Sequence, residues 1–203
     1  EEIKISTAYR LLFGRTATNR EVAIGLQFLT QLPENVRQSA STPGLSTPDA
    51  DILIADFEGR NYTRWKTDGT AFGAGPAQGT IGGQMSVSGF LGNGLVNSFL
   101  PNDGPTGQLT SHAFSIDRKF IRFLIGGGGY AEKTCMNLLV DGKPVRTAVG
   151  PNVVGGGSEA LSWKHRDVSE LVGKRAVIEI VDNHSGGWGH INVDHIFQSN
   201  QMA

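Results

Sequence analysis

Short β-type runs separated by glycine-rich turns fill the chain from about residue 51 to its end. Many short strands at this spacing are typical of two-sheet β-sandwiches. The pattern therefore predicts a mainly β fold, an antiparallel two-sheet sandwich. The runs are ILIADFEG, GQMSVSGFLG, GLVNSFLP, GQLTSHAFSI, FIRFLIGG, TCMNLLVDGKPVRTAV, ALSWKHRDV, RAVIEIVDN and GHINVDHIFQS.

Composition supports this prediction and narrows the possible partners. The 28 glycines and the low charged fraction of 18% favour a domain with many tight turns over a helical bundle. The formal net charge is -1, without long runs of one sign, so neither nucleic acid nor an anionic membrane surface is an expected partner. No apolar run reaches the length of a membrane span, which predicts no membrane insertion.

The N-terminal segment has a different pattern, that of a small helical hairpin over residues 1–32. Gly14 ends its first helix, and Thr18 with Glu21 forms a capping box at the start of the second. Residues 33–50 are rich in Pro, Ser and Thr and predict a linker to a sandwich domain over residues 51–203. The chain begins with Glu1 rather than Met, so we expect a piece of a longer protein.

Two runs carry local predictions. The Asp-Gly pair in LLVDGKPV predicts a hairpin with a two-residue turn of the primed type. Alternation in AVIEIVD places Ile178, Ile180 and Asp182 on one face of a strand. In FIRFLIG, Arg122 interrupts an apolar strand and needs a partner if it is buried, such as Asp182 or Glu179, unless it points at a ligand.

Several motifs together resemble one family of binding modules. These motifs are DFEG, Trp65, FLGNGLVNSF, TGQLTS, FIRFLIGGGGY, TCMNLLVDGKPVRTA, LSWKHRDVSELVGK and IVDNHSGGWGHINVDHI, which lie in this order over residues 51–199. They resemble the levanase-type carbohydrate-binding modules of family sixty-six. The resemblance implies a galactose-binding-like jelly roll that binds carbohydrate, in the type member the non-reducing end of fructans.

A second, shorter resemblance concerns the N-terminal stretch AYRLLFGRTATNREVAIGLQFL. It is similar to the closing helical hairpin of an uncharacterised planctomycete family that is attached to cytochrome-like domains. Together the two resemblances imply the C-terminal part of a large exported bacterial protein, located outside the cell, in the periplasm or at the cell surface. The other domains of that parent protein are then expected partners.

Jelly rolls of this class commonly hold a structural calcium ion between the first and last strands. The first strand offers Asp56 and Glu58, two residues apart and so on one face, and the last strand offers Asp194. Carboxylates facing one another would repel without a cation, and calcium prefers oxygen ligands. These three residues are therefore the expected calcium ligands, with solvent-facing acids of an edge strand as the alternative.

A sugar site needs polar side chains in fixed geometry and usually an aromatic platform. The loops at one end of the predicted sandwich supply such groups. Arg122 is a further candidate, and Trp188 could equally be a plug in the core. The loop candidates are Asp182, Asn183, His184, Trp188 and His190, then Tyr130, Glu132 and Lys133, and finally Asn102 and Asp103.

Other chemistry is disfavoured. His184, His190 and His195 are too widely spaced for a typical zinc site. There is no GxSxG elbow, no phosphate loop and no opposed carboxylate pair that the sequence singles out, so we expect no catalysis in this chain. Cys135 lies in an apolar run and is expected to be a small buried hydrophobe.

These features predict non-catalytic carbohydrate binding that anchors a larger protein to a polysaccharide or oligosaccharide, which could be fructan-like. The alternative is a structural sandwich that docks on its parent protein or on a protein partner and binds no glycan. A polar-rimmed pocket at the loop end favours the first, and an exposed aromatic cluster on a sheet face favours the second. Hydrolase activity ranks below both.

Overall fold

The computed structural model describes Ile5, Tyr9, residues 15–31 and residues 50–202. The chain divides into two units, Glu1–Pro48 and Asp49–Ala203. The predicted first helix lies outside the described residues apart from Ile5 and Tyr9, and so does the predicted linker apart from Ala50. Within the described residues, no helix is long and apolar enough to cross a membrane.

The first unit contains helix α1, Asn19–Gln31. The predicted capping box is present, because the Thr18 amide donates to Glu21 Oε2 at 2.8 Å and the Glu21 amide donates to Thr18 Oγ1 at 3.4 Å. Arg15 also pairs with the Glu21 carboxylate at 2.6 Å. These contacts satisfy amide groups that the first turn of a helix leaves without partners.

The second unit is built from strands of two to nine residues and one short 3-10 helix, Ser169–Leu171. Nearly all strands fall within the predicted runs. Their bounds are β1 Ile52–Ala55, β2 Trp65–Gly69, β3 Val96–Asn97, β4 Gly107–Ser111, β5 Phe114–Ser115, β6 Phe120–Gly127, β7 Thr134–Val140, β8 Lys143–Ala148, β9 Ser162–Asp167, β10 Arg175–Asp182 and β11 Ile191–Ser199.

These strands form two antiparallel sheets. One has the order β1-β11-β6-β9, with β3 also paired to β11; the other has the order β2-β4-β10-β7-β8, with β5 also paired to β10. The predicted antiparallel jelly-roll sandwich is therefore confirmed. The core between the sheets contains fully buried residues from both, among them Phe123 and Ile191 on one sheet and Leu109 and Ile178 on the other.

Local predictions about strands and turns are mostly confirmed. Asp141 and Gly142 both have positive φ, 51° and 72°, in the two-residue turn that joins β7 to β8. On β10, Ile178, Ile180 and Asp182 are fully buried on the inward face. Both faces of β6 are covered, but its second face packs on a separate small cluster containing Val87, Leu95, Leu124 and Leu161 rather than on another sheet.

Two expectations about strands differ from the structure. The run GQMSVSGFLG forms no strand, and Ser88 within it makes an isolated bridge with Ala160. The last strand is irregular, because its register with β6 shifts between Asp194 and Phe197 and His195 has a φ of 44°. This bulge interrupts the regular alternation of side chains along the strand, and Asp194 next to it is fully buried.

Candidate functional site

A cleft of about 510 Å³ opens at the loop end of the sandwich. Its walls come from the loops that join β3 to β4, β8 to β9 and β10 to β11, together with residues 83–85. Its polar lining residues are Gln84, Asp103, Glu159 and His190, and its larger apolar ones are Met85, Phe99, Val153, Val154 and Trp188. Loops from three different strand pairs thus converge on one concave surface.

His190 lies between two carboxylates in this cleft. Its Nδ1 atom is 2.6 Å from Asp103 Oδ1, and its Nε2 atom is 2.9 Å from Glu159 Oε2. The side chains of His190 and Glu159 are only 3% and 2% exposed, whereas that of Asp103 is 28% exposed. Burial alone would lower the pKa of His190, but the hydrogen bonds and charges of Glu159 and Asp103 outweigh it and raise that pKa.

Asn192, two residues after His190 and on β11, also contacts Glu159. Its Nδ2 group donates to Glu159 Oε2 at 2.8 Å. The carboxylate of Glu159 therefore interacts with both the His190 ring and the Asn192 amide, and all three residues are buried. We call Asp103, Glu159 and His190 the acid–histidine array.

Aromatic rings pack on the array from two sides. The Trp188 ring lies 5.6 Å from the His190 ring at an interplanar angle of 30°, and the Phe99 ring meets His190 edge-on at 5.1 Å. Trp188 is 9% exposed and lines the cleft, so it is largely a wall rather than a protruding platform. Its φ of 60° is in the left-handed region, an unusual backbone conformation for a bulky residue.

The predicted loop residues at 130–133 lie beside the cleft rather than in its lining. The Tyr130 hydroxyl lies 2.9 Å from the Val153 carbonyl oxygen, and the Tyr130 ring packs on His184 at 4.4 Å. The Asn183 amide donates to the Lys133 carbonyl at 2.6 Å. Glu132 is exposed. Tyr130 thus braces the β8–β9 loop, which contains the cleft residues Val153 and Val154.

Asp182 is fully buried and does not line the cleft. Burial raises the pKa of its carboxyl group to about 7, against a hydrogen bond from Ser98 and the positive charge of His190. Its Oδ2 atom has no hydrogen-bond partner, while Oδ1 accepts from the His184 amide at 3.4 Å. Asp182 is therefore a buried acid behind the array and is not placed to touch a ligand in the cleft.

Arg122 is not brought together with the other candidates. It belongs to β6, whereas its expected partners Asp182 and Glu179 belong to β10 in the other sheet, so that expectation was wrong. Its Nη1 atom lies 3.8 Å from Asp51, and its guanidinium lies over the rings of Trp163 and Phe197. Arg122 is thus part of a structural cation–π contact away from the cleft lining.

The three predicted calcium ligands are arranged as hydrogen-bond acceptors. The strands β1 and β11 pair as expected, but β1 ends at Ala55, so Asp56 and Glu58 lie in the following loop. Glu58 accepts from the amides of Asn93 and Gly94 at 2.9 and 3.0 Å. Although burial acts in the opposite direction, these amides hold the pKa of Glu58 below its usual value.

Asp194 is also a hydrogen-bond acceptor, and it is fully buried. Its Oδ2 atom accepts from the Leu91 amide at 2.8 Å, and its Oδ1 atom accepts from the His195 amide at 2.7 Å. The described residues contain no group of three or more acidic, histidine or cysteine side chains suited to a metal ion. Calcium takes six to eight oxygens, and a calcium ion at these three residues stays a prediction from the sequence alone.

Sequence reasoning missed Glu159, Phe99 and Gln84 in the cleft. Glu159 follows the glycine run GGGS just before β9, and its contact with His190 joins residues 31 positions apart. Only the strand order places the start of β9 and the start of β11 at the same end of the sheet. The sequence signal for Glu159 was a lone acidic residue at the end of a glycine-rich loop.

Comparison with known proteins gives one close relative in sequence. No family model matches the chain. The chain is 46% identical over 161 residues to the protein named "Putative glycosyl hydrolase ecdE" of Aspergillus rugulosus. This match covers 78% of this chain and 22% of that protein. The chain thus spans about a fifth of the length of the curated relative it matches.

The solved structures that match the chain include an adhesin domain, a cyclase and a carbohydrate binding module, each with a TM-score below 0.5. The K3 adhesin domain of Lys-gingipain from Porphyromonas gingivalis W83 is 21% identical with a TM-score of 0.46 (74% of this chain, 99% of that chain). A cyclase from Fischerella sp. TAU is 11% identical with a TM-score of 0.44 (76% and 100%). A family 35 carbohydrate binding module from Clostridium thermocellum is 12% identical with a TM-score of 0.38 (73% and 96%).

Proposed function

We propose that the sandwich binds carbohydrate non-catalytically, in the cleft at its loop end. The observation that carries the proposal is the acid–histidine array, which lies next to Trp188 in a concave site of about 510 Å³. Sites for small molecules typically combine an apolar wall with a few fixed polar groups, and this volume lies within their usual range. Sugars match such a site because they present hydroxyl donors and an apolar ring face.

The roles of individual residues follow from their exposure. Asp103 is partly exposed at the cleft, so its carboxylate can accept hydrogen bonds from sugar hydroxyls. Glu159 and His190 are almost fully buried and hold Asp103 and the cleft wall in place. The indole of Trp188 and the ring of Phe99 offer apolar surface to a sugar ring.

Binding rather than hydrolysis is supported by the direction of the carboxylates. Asp103 and Glu159 both point at the His190 ring, whereas a glycosidase needs two carboxyl groups facing each other across the scissile bond. The glycosyl hydrolase name of the relative is compatible with a sugar-binding part in a larger enzyme. We further propose a levanase-type module, with a fructan-like ligand, that anchors an exported protein to polysaccharide outside the cell.

A binding panel tests the proposal. Affinity electrophoresis and calorimetry with levan, inulin and other neutral polysaccharides should show binding, which Trp188→Ala and Asp103→Ala abolish. Trp163→Phe is the matched control, since Trp163 lies on β9 outside the cleft lining and should bind as the wild type does. A folded protein that binds no member of a broad panel would favour the docking alternative, and release of reducing sugar would favour hydrolysis.

A further inference from the structure

The geometry around His190 indicates how many protons the ring and its two carboxylate neighbours share. Both ring nitrogens lie within hydrogen-bond distance of carboxylate oxygens, Nδ1 at 2.6 Å from Asp103 and Nε2 at 2.9 Å from Glu159. A neutral imidazole has one N–H donor and one lone pair, and an ionised carboxylate can only accept. A neutral ring between two carboxylates would therefore set a lone pair against an oxygen, which is costly in a buried site.

The extra proton belongs on the ring. An imidazolium donates to both carboxylates at once, and each of these hydrogen bonds is then charge-assisted. Glu159 also accepts a hydrogen bond from the Asn192 amide. Protonating either carboxyl group instead would keep both contacts, but only one of them would then be charge-assisted.

The surroundings of His190 contain no competing cation in the part of the chain that the structure describes. Asp103 faces it from the β3–β4 loop and Glu159 from the β8–β9 loop, and Asp182 on β10 also interacts with it electrostatically. Trp188 and Phe99 supply the remaining contacts through their rings. The cleft lining that residues 50–202 form contains no lysine or arginine.

We propose that His190 is a positioning residue that works as an imidazolium, and that the cleft binds sugar only while this proton holds Asp103 and Glu159 together. The proposal rests on the proposed carbohydrate-binding function and adds a regulation of the same site. His190 itself is almost fully buried, so it acts through Asp103 and the cleft wall.

Loss of the proton would disrupt the cleft. One hydrogen bond of the array would break, and Glu159, only 2% exposed, could not be solvated in its place. Because the carboxylates raise the pKa of His190, the proton stays bound to a higher pH than in an unperturbed histidine and is lost as the pH rises above the raised value. Sugar affinity should therefore fall on the alkaline side, by about tenfold for each pH unit above that pKa.

The variant Glu159→Gln separates this role from simple packing. A glutamine amide can donate to Nε2 while a neutral ring donates from Nδ1 to Asp103, so the array no longer needs the extra proton. We expect the alkaline loss of affinity to disappear in this variant. If Glu159→Gln does not fold, Asp103→Asn tests the protonation of the ring from the other side by the histidine resonances alone, because Asp103 is itself a proposed sugar contact.

The experiment combines nuclear magnetic resonance of labelled histidine with calorimetric binding of levan, the probe, between pH 6 and pH 9. His190→Gln assigns the signal, and His112→Gln, an exposed residue, is the control. We expect both ring nitrogens of His190 to be protonated at pH 7 in the wild type, and only one in Glu159→Gln.

Each outcome decides one question. A neutral His190 ring at pH 7, or the same alkaline loss of affinity in Glu159→Gln as in the wild type, would overturn the inference. If levan and the other panel glycans fail to bind at every pH, the proposed function fails, while the resonance spectrum still decides whether the array holds an imidazolium. Binding with a normally titrating His190 would keep the function and remove the proton requirement.

Discussion

The indole Nε1 group of Trp188 lies 3.0 Å from the carbonyl oxygen of Val154 and 3.1 Å from that of Gly156. This shared donor ties the β10–β11 loop to the β8–β9 loop, two segments more than thirty residues apart in sequence. At Gly157, a Cβ atom would lie 2.9 Å from the Trp188 ring and 2.3 Å from Asn152 Oδ1, so the backbone must approach the indole closely there. One wall of the cleft thus depends on Trp188.

Replacing Trp188 by phenylalanine should weaken glycan binding without unfolding the sandwich. The phenyl ring keeps much of the apolar contact but cannot donate to Val154 or Gly156. We expect affinity to fall roughly tenfold, which corresponds to about 1.4 kcal/mol, the net contribution of a typical buried hydrogen bond. Hydrogen exchange of residues 153–157 should also become faster, since the wall loses its anchor.

Calorimetry and hydrogen-exchange mass spectrometry measure these two effects. Trp163→Phe removes an indole from β9 and should change neither, because Trp163 packs on Phe197 away from the cleft. Unchanged exchange at residues 153–157 in Trp188→Phe would show that the two hydrogen bonds do not hold the wall.

The charge of the cleft predicts which sugars it accepts. Asp103 and Glu159 carry two negative charges and His190 at most one positive charge, and among the described residues no lysine or arginine lines the cleft. An anionic sugar unit would meet net repulsion, so neutral glycans should bind at least roughly tenfold more tightly than uronate or sulfated ones. A neutral polysaccharide and its sulfated derivative, compared at low and high salt, test this.

High salt serves as the internal control, since it screens charge and should narrow the difference. Equal or tighter binding of the sulfated polymer at low salt would place the ligand away from the acid–histidine array.

Sequence periodicity predicted the strands whose side chains alternate clearly. On β10, the face shared by Ile178 and Ile180 also contains Asp182, so the burial of this acid was readable from the alternation. Strand β2 was missed because WKTDG carries mostly polar residues, four of its five positions being exposed. The prediction of a strand over GQMSVSGFLG was wrong because Val87 is buried under the β6 sheet without strand pairing. An apolar pattern does not distinguish a buried strand from a buried loop.

The site was only partly predictable for a different physical reason. Trp188, His190 and Asp103 were candidates because their residue types suit sugar binding. Their contact with Glu159, however, depends on which strands are neighbours, and local sequence does not determine sheet order. Arg122 was misplaced for the same reason, since its sheet could not be assigned from FIRFLIG alone.

A variant of Glu58 distinguishes calcium binding by this residue from a purely structural role. Its carboxylate accepts hydrogen bonds from the Asn93 and Gly94 amides, so Glu58→Gln should lower the free energy of unfolding by about 1 kcal/mol. Without a bound ion this loss is the same in calcium and in chelator, because the two amide contacts need no metal. A bound calcium ion would instead raise the melting temperature of the wild type and not that of the variant.

Thermal unfolding in both conditions gives the answer, with Asp117→Asn, an exposed acid, as the control. A calcium-dependent rise in melting temperature confined to the wild type would support the predicted calcium site at Asp56, Glu58 and Asp194.

Asp182→Asn should stabilise the protein, and more so at higher pH. Burial raises the pKa of Asp182 to about 7, so the folded state keeps a proton that the unfolded chain loses near pH 4. The wild type therefore loses stability as the pH rises from about 4 to about 7, whereas a neutral asparagine does not. We expect the variant to be about 1 to 3 kcal/mol more stable at pH 8, with a smaller gain at pH 4.5, by denaturant unfolding. A less stable variant at pH 8 would mean that an ionised Asp182 is stabilised in the folded protein, while Asp117→Asn should show no such pH-dependent gain.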